Sequence, residues 1–271
     1  MRSFTEKHAV ITGAASGIGR AIAVALSDAG CHTCLIDIDA LGLEQTVNEV
    51  QKKGVKAFGL TCNIADKNEV SHTLNALVEK WPSIDLLVNN AGITYRGRSD
   101  EMAQPDWERL LAVNLLGPMQ ITQRLLPFLL ARPEAHVLNI CSLLGLCGFS
   151  KFAAYSASKF GMVGYSEALR AEYLRSQLGV TAVCPGYVRT PFIESVPGKN
   201  GVRRERSTPQ WLCTSPEIVA LASLKAIRRN RGLVVLTPLA HVTWRLKRFF
   251  PSLFELPRLL KSRRMEPPDL Q

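Results

Sequence analysis

The sequence has no apolar run that approaches the roughly 20 residues a helix needs to cross a bilayer. Its first ten residues, Met1 to Val10, are mostly polar and lead directly into an apolar segment, so no signal peptide is predicted. The seven cysteines are odd in number and follow no disulfide framework, which favours a reducing, cytoplasmic compartment. These absences argue against an integral membrane protein and a disulfide-rich secreted domain.

Metal-ligating clusters and nucleic-acid-binding modules are also missing from the sequence. Cys31 and Cys34 have C-x-x-C spacing, but they lead into an apolar segment rather than open a helix, so we expect ordinary buried thiols. No metal site is predicted. The chain is basic, with a net charge of +10, but no recognised nucleic-acid motif accompanies that charge, and no nucleic-acid partner is expected.

Acidic residues are scarce in the last third of the chain. Residues 1–180 hold 17 Lys+Arg and 17 Asp+Glu, whereas residues 181–271 hold 16 Lys+Arg and 6 Asp+Glu. The second part therefore carries the whole net charge of +10. Any account of the function has to explain this asymmetry.

The chain is built from short apolar runs that alternate with longer amphipathic segments. The runs are rich in leucine and β-branched residues and apolar nearly throughout, which is typical of strands buried on both faces. Strand–helix alternation predicts an α/β fold with a doubly wound parallel sheet of about seven strands. The predicted strands are His8–Thr12, Thr33–Asp37, Lys56–Thr61, Leu86–Asn89, His136–Cys141, Thr181–Cys184 and Leu233–Leu236. The predicted helices are Ile18–Ala29, Leu41–Lys53, Lys67–Lys80, Trp107–Leu130, Ala153–Ser176 and Pro216–Arg228.

Three regions follow from this pattern. No repeat or linker interrupts residues 1–238, which we expect to form a single catalytic domain. Within it, residues 190–211 form the one long irregular stretch, and a stretch of that length after a strand predicts a substrate loop. Residues 239–271 are predicted to be a basic, amphipathic C-terminal extension.

A glycine-rich turn joins the first strand to the first helix. Gly13, Gly17 and Gly19 permit a tight turn and close approach of a pyrophosphate to the helix N-terminus. Asp37 ends the second strand, near the spacing at which a carboxylate binds the adenosine ribose. An acid there repels a 2′-phosphate, so we predict NAD in preference to NADP. Arg20 lies beside the turn and could in principle meet a phosphate.

Tyr155, Lys159 and Ser142 form the second informative group. Residues four apart share one face of a helix, so the phenol of Tyr155 and the ammonium of Lys159 are expected to project together. A nearby cation favours phenolate, so we expect a lowered tyrosine pKa that suits proton exchange with an alcohol or ketone. Ser142 could hold the oxygen of the substrate.

Six motifs in order make the chain resemble the single-domain short-chain dehydrogenases/reductases. They span about residues 5–237. The resemblance implies a Rossmann-type sheet, NAD(P)-dependent hydride transfer to or from a secondary alcohol or ketone, and a homodimer or homotetramer. The motifs are Thr12–Gly19, Asn89–Gly92, Asn114, Ser142, Tyr155-x-x-x-Lys159 and Pro185–Thr190.

The resemblance also implies residue roles. Tyr155 would be the general acid/base, Lys159 would lower its pKa and hold the nicotinamide ribose, and Ser142 would position the substrate oxygen. Asn114 would hold a water that relays protons from Lys159. Asn63 stands where the family usually has an aspartate that contacts the adenine amine, and its amide oxygen can still accept a hydrogen bond. The implied cofactor-binding residues are Gly13, Ala15, Ser16, Gly17, Ile18, Gly19, Asp37, Ile38, Asn63, Ile64, Asn90, Ala91, Gly92, Tyr155, Lys159, Pro185, Gly186, Val188 and Thr190.

The substrate is expected to be lipophilic, such as a steroid, retinoid or fatty-acyl compound. Apolar residues flank the catalytic group and suit such a substrate, although they equally suit helix packing or a dimer surface. The cluster Arg203–Arg206 in the substrate loop is either solvated or meets an anionic group. The apolar residues in question are Leu143, Leu144, Leu146, Phe149 and Phe152.

The C-terminal extension has an apolar helical face opposite a basic one. This pattern predicts either peripheral contact with an anionic membrane through residues 239–264 or an arm that packs on a partner subunit. A different class of function, a non-catalytic NAD-binding sensor or scaffold at a membrane, is disfavoured because the tyrosine and lysine are both present. The apolar residues of the first predicted helical face are Leu239, Val242, Leu246, Phe249, Phe250 and Leu253.

Overall fold

A computed structural model describes residues 1–190 and 213–254 of the chain. The expectations for the rest of the substrate loop, including Arg203–Arg206, and for the segment after residue 254 lie outside the described residues. Within the described ranges, seven parallel strands form one sheet in the order β3-β2-β1-β4-β5-β6-β7. They are β1 His8–Thr12, β2 His32–Asp37, β3 Ala57–Thr61, β4 Leu86–Asn89, β5 Ala135–Ile140, β6 Leu178–Cys184 and β7 Leu233–Val235.

Helices connect these strands and cover both faces of the sheet. α1, α2 and α7 contribute Ile22, Leu43 and Val219 to the core on one face. α3 and α5 contribute Leu77 and Leu125 to the core on the other, so the sheet is buried on both sides. The helices are α1 Gly17–Asp28, α2 Ala40–Gln51, α3 Lys67–Lys80, α4 Gln104–Leu111, α5 Gly117–Leu130, α6 Ala153–Glu172, α7 Pro216–Arg228 and α8 Pro238–Phe249.

The strand order reverses between β1 and β4. β1 pairs with β2 on one side and β4 on the other, so the chain leaves these neighbouring strands in opposite directions. Such a reversal opens a crevice at the carboxyl ends of the strands, where α/β proteins bind nucleotides. The predicted cofactor and catalytic motifs follow β1, β2, β4, β5 and β6 and therefore meet at this edge.

The predicted elements agree with the structure except in one long helix. The segment Trp107–Leu130, predicted as one helix, is two helices joined by a π-helical turn at Ala112–Leu116. The apolar spacing does not change across this turn, so periodicity cannot detect it. The turn places Asn114 in the interior, at 1 % exposure. A π-turn of this kind often marks a functional site.

A buried carboxylate stabilises the edge of the sheet opposite the crevice. Asp85 accepts hydrogen bonds from the backbone N–H of His8 at 3.0 Å, from Nε of Arg132 at 2.8 Å and from Nζ of Lys7 at 3.2 Å. Burial alone raises the pKa of this carboxyl, but the three donors outweigh burial and hold the pKa below its usual value. The carboxylate thus binds the start of β1 to the segments before β4 and β5.

We predict that Asp85→Asn lowers the free energy of unfolding by about 3 kcal/mol at neutral pH, because it leaves two cations without their buried partner. Since the folded-state pKa of Asp85 is depressed, its contribution is present above the unfolded pKa of about 4 and disappears as the pH falls through the folded value. Urea unfolding of both proteins across the acidic range measures this. Asp28→Asn, which removes a surface ion pair with Lys53, is the control and should leave the stability nearly unchanged. Equal losses in the two variants would contradict the assignment.

Candidate active site

The glycine-rich turn after β1 is held in a conformation that only glycine adopts easily. Gly13 and Gly17 have φ of +66° and +55°. A Cβ on Gly13 would lie 2.7 Å from Nδ2 of Asn90, and that amide donates to the carbonyl oxygens of Thr12 at 3.0 Å and Gly13 at 2.8 Å. Asn90 therefore binds the turn to the segment after β4, and the predicted motifs Thr12–Gly19 and Asn89–Gly92 form one structure.

The residues of this turn fit the pyrophosphate of a dinucleotide. α1 begins at Gly17, and the side chain of its N-cap residue, Ser16, makes no capping hydrogen bond within the described residues. The Ser16 side chain therefore leaves the first N–H groups of α1 uncapped, and a phosphate bound at this helix start would accept their hydrogen bonds. A Cβ on Gly17 would lie 3.2 Å from Cγ2 of Thr190, so the turn also borders the segment after β6.

Asp37 lies at the end of β2, beside the glycine turn. Its Oδ2 accepts a hydrogen bond from the N–H of Ala15 at 2.8 Å, and its Oδ1 accepts from the N–H of Asp39 at 3.1 Å. The half-buried carboxylate is thus fixed on the adenosine side of the turn. Ile38, the next residue, is 65 % exposed and forms an apolar surface there.

Asn63 and Ile64 follow β3 on the same edge of the sheet. The side-chain oxygen of Asn63 accepts a hydrogen bond from the N–H of Ala65 at 3.1 Å, and its backbone N–H donates to Oε2 of Glu69 at 2.8 Å. Ile64 is buried. A carbonyl oxygen has two lone pairs, so Asn63 retains capacity for a further donor such as an adenine amine.

Ser142, Tyr155 and Lys159 are brought together from two elements. Ser142 follows β5, and its hydroxyl is hydrogen-bonded to that of Tyr155 near the start of α6. The ammonium of Lys159 lies 5.8 Å from the centroid of the Tyr155 ring and donates to the carbonyl oxygen of Ile140 at 3.0 Å. The three side chains are each at most 8 % exposed. Two hydroxyls and an ammonium therefore meet in an apolar interior.

The pKa of Tyr155 differs from the sequence prediction. Burial raises this pKa well above its usual value, and the hydrogen bond from Ser142 only partly opposes the rise. The ammonium of Lys159 donates to the carbonyl oxygen of Ile140, and the net shift of the tyrosine pKa is upward, opposite to the lowering that we expected. The protein alone holds Tyr155 as a neutral phenol, which is a proton donor.

The pKa of Lys159 is also shifted by the surroundings of its side chain. Burial lowers its pKa, and the adjacent Cys141 and Cys184 partly oppose this. A Cβ on Gly92 would lie 3.6 Å from its Nζ and 3.3 Å from Oδ1 of Asn114. Gly92 thus leaves open the space in front of the ammonium, where a ribose hydroxyl could accept from it.

The side chain of Asn114 forms hydrogen bonds to two other parts of the chain. Its Oδ1 accepts from the N–H of Ile93 at 2.8 Å, while its Nδ2 donates to the carbonyl oxygen of Ile93 at 2.9 Å and to Oγ of Ser158 at 3.1 Å. The amide therefore links the π-turn, the segment after β4, and α6. A relay water at this residue, as the sequence predicts, could contact the backbone or the remaining lone pair of Oδ1.

The segment Pro185–Thr190 closes the crevice after β6. The carbonyl oxygen of Pro185 accepts from the N–H of Leu143 at 2.8 Å, which joins this segment to the residue after Ser142. Val188 is buried and forms a β-bridge with Thr214. Gly186 packs against Thr237, at the start of α8.

A second set of polar residues, which was not predicted from the sequence, lies in the interior next to the site. Nδ2 of Asn89 donates to Oδ1 of Asn139 at 2.8 Å, and Nδ2 of Asn139 donates to Oγ of Ser166 at 2.8 Å. This buried network fastens β4, β5 and α6 together. The sequence does carry a signal for this network, because each of two otherwise apolar strands contains an asparagine, Asn89 in β4 and Asn139 in β5.

The described residues contain no group of three or more His, Cys, Asp and Glu side chains that could hold a metal ion. Cys31 and Cys34 are buried, and burial raises the pKa of the Cys31 thiol to about 12. No helix of the described part is long and apolar enough to span a membrane.

The family model of short chain dehydrogenases matches residues 7–200 of this chain. A ketoacyl reductase of Streptomyces coelicolor is 38 % identical to it over 219 residues, which cover 80 % of this chain and 81 % of the relative. The chain therefore belongs to the short-chain dehydrogenase/reductase family, and it is an oxidoreductase of the type that acts on CH–OH and keto groups.

Two solved structures show the same fold. A short-chain dehydrogenase/reductase from Burkholderia phymatum in complex with NAD has a TM-score of 0.84 and 27 % identity, over 94 % of this chain and 97 % of that one. A single-residue variant of the actinorhodin polyketide ketoreductase with NADPH has a TM-score of 0.78 and 32 % identity, over 87 % of this chain and 97 % of that one. One neighbour holds NAD and the other NADPH.

Proposed function

We propose that this chain is an NAD-dependent reductase of ketones on lipophilic molecules, and a dehydrogenase of the corresponding secondary alcohols. The observation that carries the proposal is the hydrogen-bonded pair of Ser142 and Tyr155, with the buried ammonium of Lys159 beside it. This group lies at the same edge of the sheet as the glycine turn and Asp37. A substrate oxygen and a dinucleotide can therefore meet there.

The nicotinamide cofactor, when bound, supplies or accepts the hydride. Ser142 would donate a hydrogen bond to the substrate carbonyl and hold it against Tyr155. Tyr155, a neutral phenol with a raised pKa, would deliver its proton to the oxygen as the carbonyl carbon is reduced. Lys159 would stabilise the resulting phenolate. A neutral phenol is the form that donates the proton during reduction, and two similar proteins carry ketoacyl reductase and ketoreductase names.

The side chains around Tyr155 support a lipophilic substrate. Leu144, Ile93, Tyr95 and Met102 are partly buried and pack against a cluster that contains the Tyr155 ring. Of the other predicted wall residues, Leu143 and Leu146 pack against the cluster that contains Met162, and Phe149 is 40 % exposed. The predicted wall residues therefore belong partly to the hydrophobic core and partly to an exposed apolar surface.

The environment of Asp37 supports NAD as the preferred cofactor. Its carboxylate is fixed beside the turn by the N–H of Ala15. Arg20, the cation that could have met a 2′-phosphate, forms an ion pair in which its Nε lies 2.9 Å from Oε2 of Glu49. A fixed carboxylate beside an arginine that is already paired disfavours the 2′-phosphate of NADP.

The exposed face of α8 supports contact with an anionic membrane surface. Ala240 is buried and Trp244 packs against the core, whereas the opposite face exposes apolar side chains to solvent. Basic residues flank that face, and residues 181–271 carry the whole net charge of +10, so anionic phospholipid is the complementary partner. The exposed fractions are 50 % for Leu239, 54 % for Val242, 40 % for Leu246, 70 % for Phe249 and 57 % for Phe250.

We predict that Tyr155→Phe lowers the rate of reduction of a neutral lipophilic ketone by about 10²- to 10⁴-fold, because the proton donor is lost. NADH oxidation measured by absorbance gives the rate, and NADH fluorescence checks that the cofactor still binds. Tyr173→Phe, just after α6, is the control and should retain activity. Full activity of Tyr155→Phe would refute the assignment of Tyr155, whereas no hydride transfer to a broad set of ketones despite tight NADH binding would favour a non-catalytic NAD-binding sensor.

We predict that kcat/KM is higher with NADH than with NADPH, and that Asp37→Ala reduces this ratio by at least about tenfold because it removes the repulsion toward a 2′-phosphate. Asp39→Ala removes an equal charge two residues away and should leave the ratio within about threefold of the original. A wild-type preference for NADPH would overturn the proposal for Asp37.

We predict that the chain sediments with vesicles rich in phosphatidylserine, and that the double variant Phe249→Ser and Phe250→Ser binds them at least about tenfold more weakly. Leu221→Ser, which removes another exposed apolar residue on α7, should bind normally. Size-exclusion chromatography of the same variants tests the alternative, an arm between subunits. If the double variant changes oligomeric state while no form binds vesicles, the membrane proposal fails.

A further inference from the structure

An open cleft of about 670 Å³ lies beside the start of the catalytic helix, α6. Three separate parts of the chain line it: the segment Arg98–Asp100 after β4, the segment from Gly148 through the first turns of α6, and Lys247 near the end of α8. Two residues of α6, Ala153 and Ser156, form part of its wall, and Ser156 directly follows Tyr155. The cleft therefore adjoins the reaction site along the chain.

The lining of the cleft carries an excess of positive charge. Nε of Arg98 lies 2.9 Å from Oδ1 of Asp100, so these two charges largely offset each other. Neither Lys151 nor Lys247 forms an ion pair with any residue of ranges 1–190 and 213–254. Asp100 is the one acid among the described lining residues, so these residues together carry a net charge of about +2 at neutral pH.

Ser156 adds a buried hydroxyl that lacks a partner. The residue is 7 % exposed, and its Oγ has no hydrogen-bond partner among the described residues. Burying a hydroxyl without a partner is unfavourable, so such a group is usually satisfied by a ligand or an ordered water. Because Ser156 lines the cleft, rotation of its side chain about the Cα–Cβ bond would let the hydroxyl donate to an anion bound there.

We propose that this cleft binds an anionic group, a phosphate or a carboxylate, with Lys151 and Lys247 supplying the charge and Ser156 a hydrogen bond. The proposal deepens the proposed function and rests on it: the anion would be one end of the substrate whose ketone is held at Ser142 and Tyr155. Phe149 also lines the cleft and provides an apolar surface for the chain that connects the two ends.

The packing of α8, the first helix of the C-terminal extension, brings Lys247 to the cleft. Gly186 packs against Thr237 at the start of α8, and the thiol of Cys147 lies 4.0 Å from the carbonyl oxygen of Thr243. These contacts hold α8 against the loop that follows Ser142. They set Lys247 at the cleft while the apolar face of α8 points away from the core.

The test is a titration of the full chain, saturated with NADH, with inorganic phosphate at constant ionic strength. NADH occupies the dinucleotide crevice, so further stabilisation against thermal unfolding reports binding elsewhere. We expect Lys151→Ala and Lys247→Ala each to weaken phosphate binding by about three- to fivefold, and Ser156→Ala by about tenfold. Lys225→Ala, which removes an exposed lysine on α7, is the matched control and should bind phosphate normally.

A kinetic arm uses a keto acid and its methyl ester, which share one ketone. Lys247→Ala should raise KM for the acid by about three- to fivefold and leave KM for the ester unchanged. Phosphate binding should survive in the Phe249→Ser and Phe250→Ser variant, which separates this cleft from a lipid headgroup bound at the apolar face of α8.

Absence of phosphate stabilisation, or an equal loss in Lys225→Ala and Lys247→Ala, would overturn the anion site. That result would leave the proposed function intact if reduction of the ester still required Tyr155. Absence of any NADH-dependent reduction of the ester by the unmodified chain would instead refute the proposed function.

Discussion

The buried ammonium of Lys159 is the constraint on which the geometry of the site depends. An ammonium in an apolar interior is costly unless an acceptor compensates for its lost hydration, and here the carbonyl oxygen of Ile140 lies 3.0 Å away. This contact fixes α6 against the end of β5, one residue before Cys141 and two before Ser142. Because Tyr155 is one turn earlier on α6, the same contact places its hydroxyl beside that of Ser142.

A second set of hydrogen bonds makes the crevice rigid. Asn90 holds the glycine turn, Asn114 joins the segment after β4 to α6, and Asn139 links Asn89 to Ser166. Each asparagine bridges elements that are distant in sequence. The proposed reaction would therefore require little movement of these side chains.

Much of the fold and the location of the site could be predicted from local patterns. The strands begin and end within a few residues of the apolar runs, and the glycine turn, Asp37 and the Tyr155–Lys159 pair lie where their motifs place them. The π-turn at Asn114 could not be predicted, because its residues keep helical apolar spacing. The raised pKa of Tyr155 comes mainly from its burial, which depends on tertiary packing. The approach of Lys247 to α6 likewise depends on how α8 packs.

The central claim is that a hydride passes to a ketone held at Ser142 and Tyr155. Deuterium transfer tests it most directly: the protein is incubated with a lipophilic ketone and NADH deuterated at one face of C4, and the alcohol is examined by mass spectrometry and NMR. The account predicts an alcohol of a single configuration that carries deuterium on the carbinol carbon with one of the two C4 labels. Alcohol without deuterium from either label, or no alcohol over a broad set of ketones despite tight NADH binding, would contradict it.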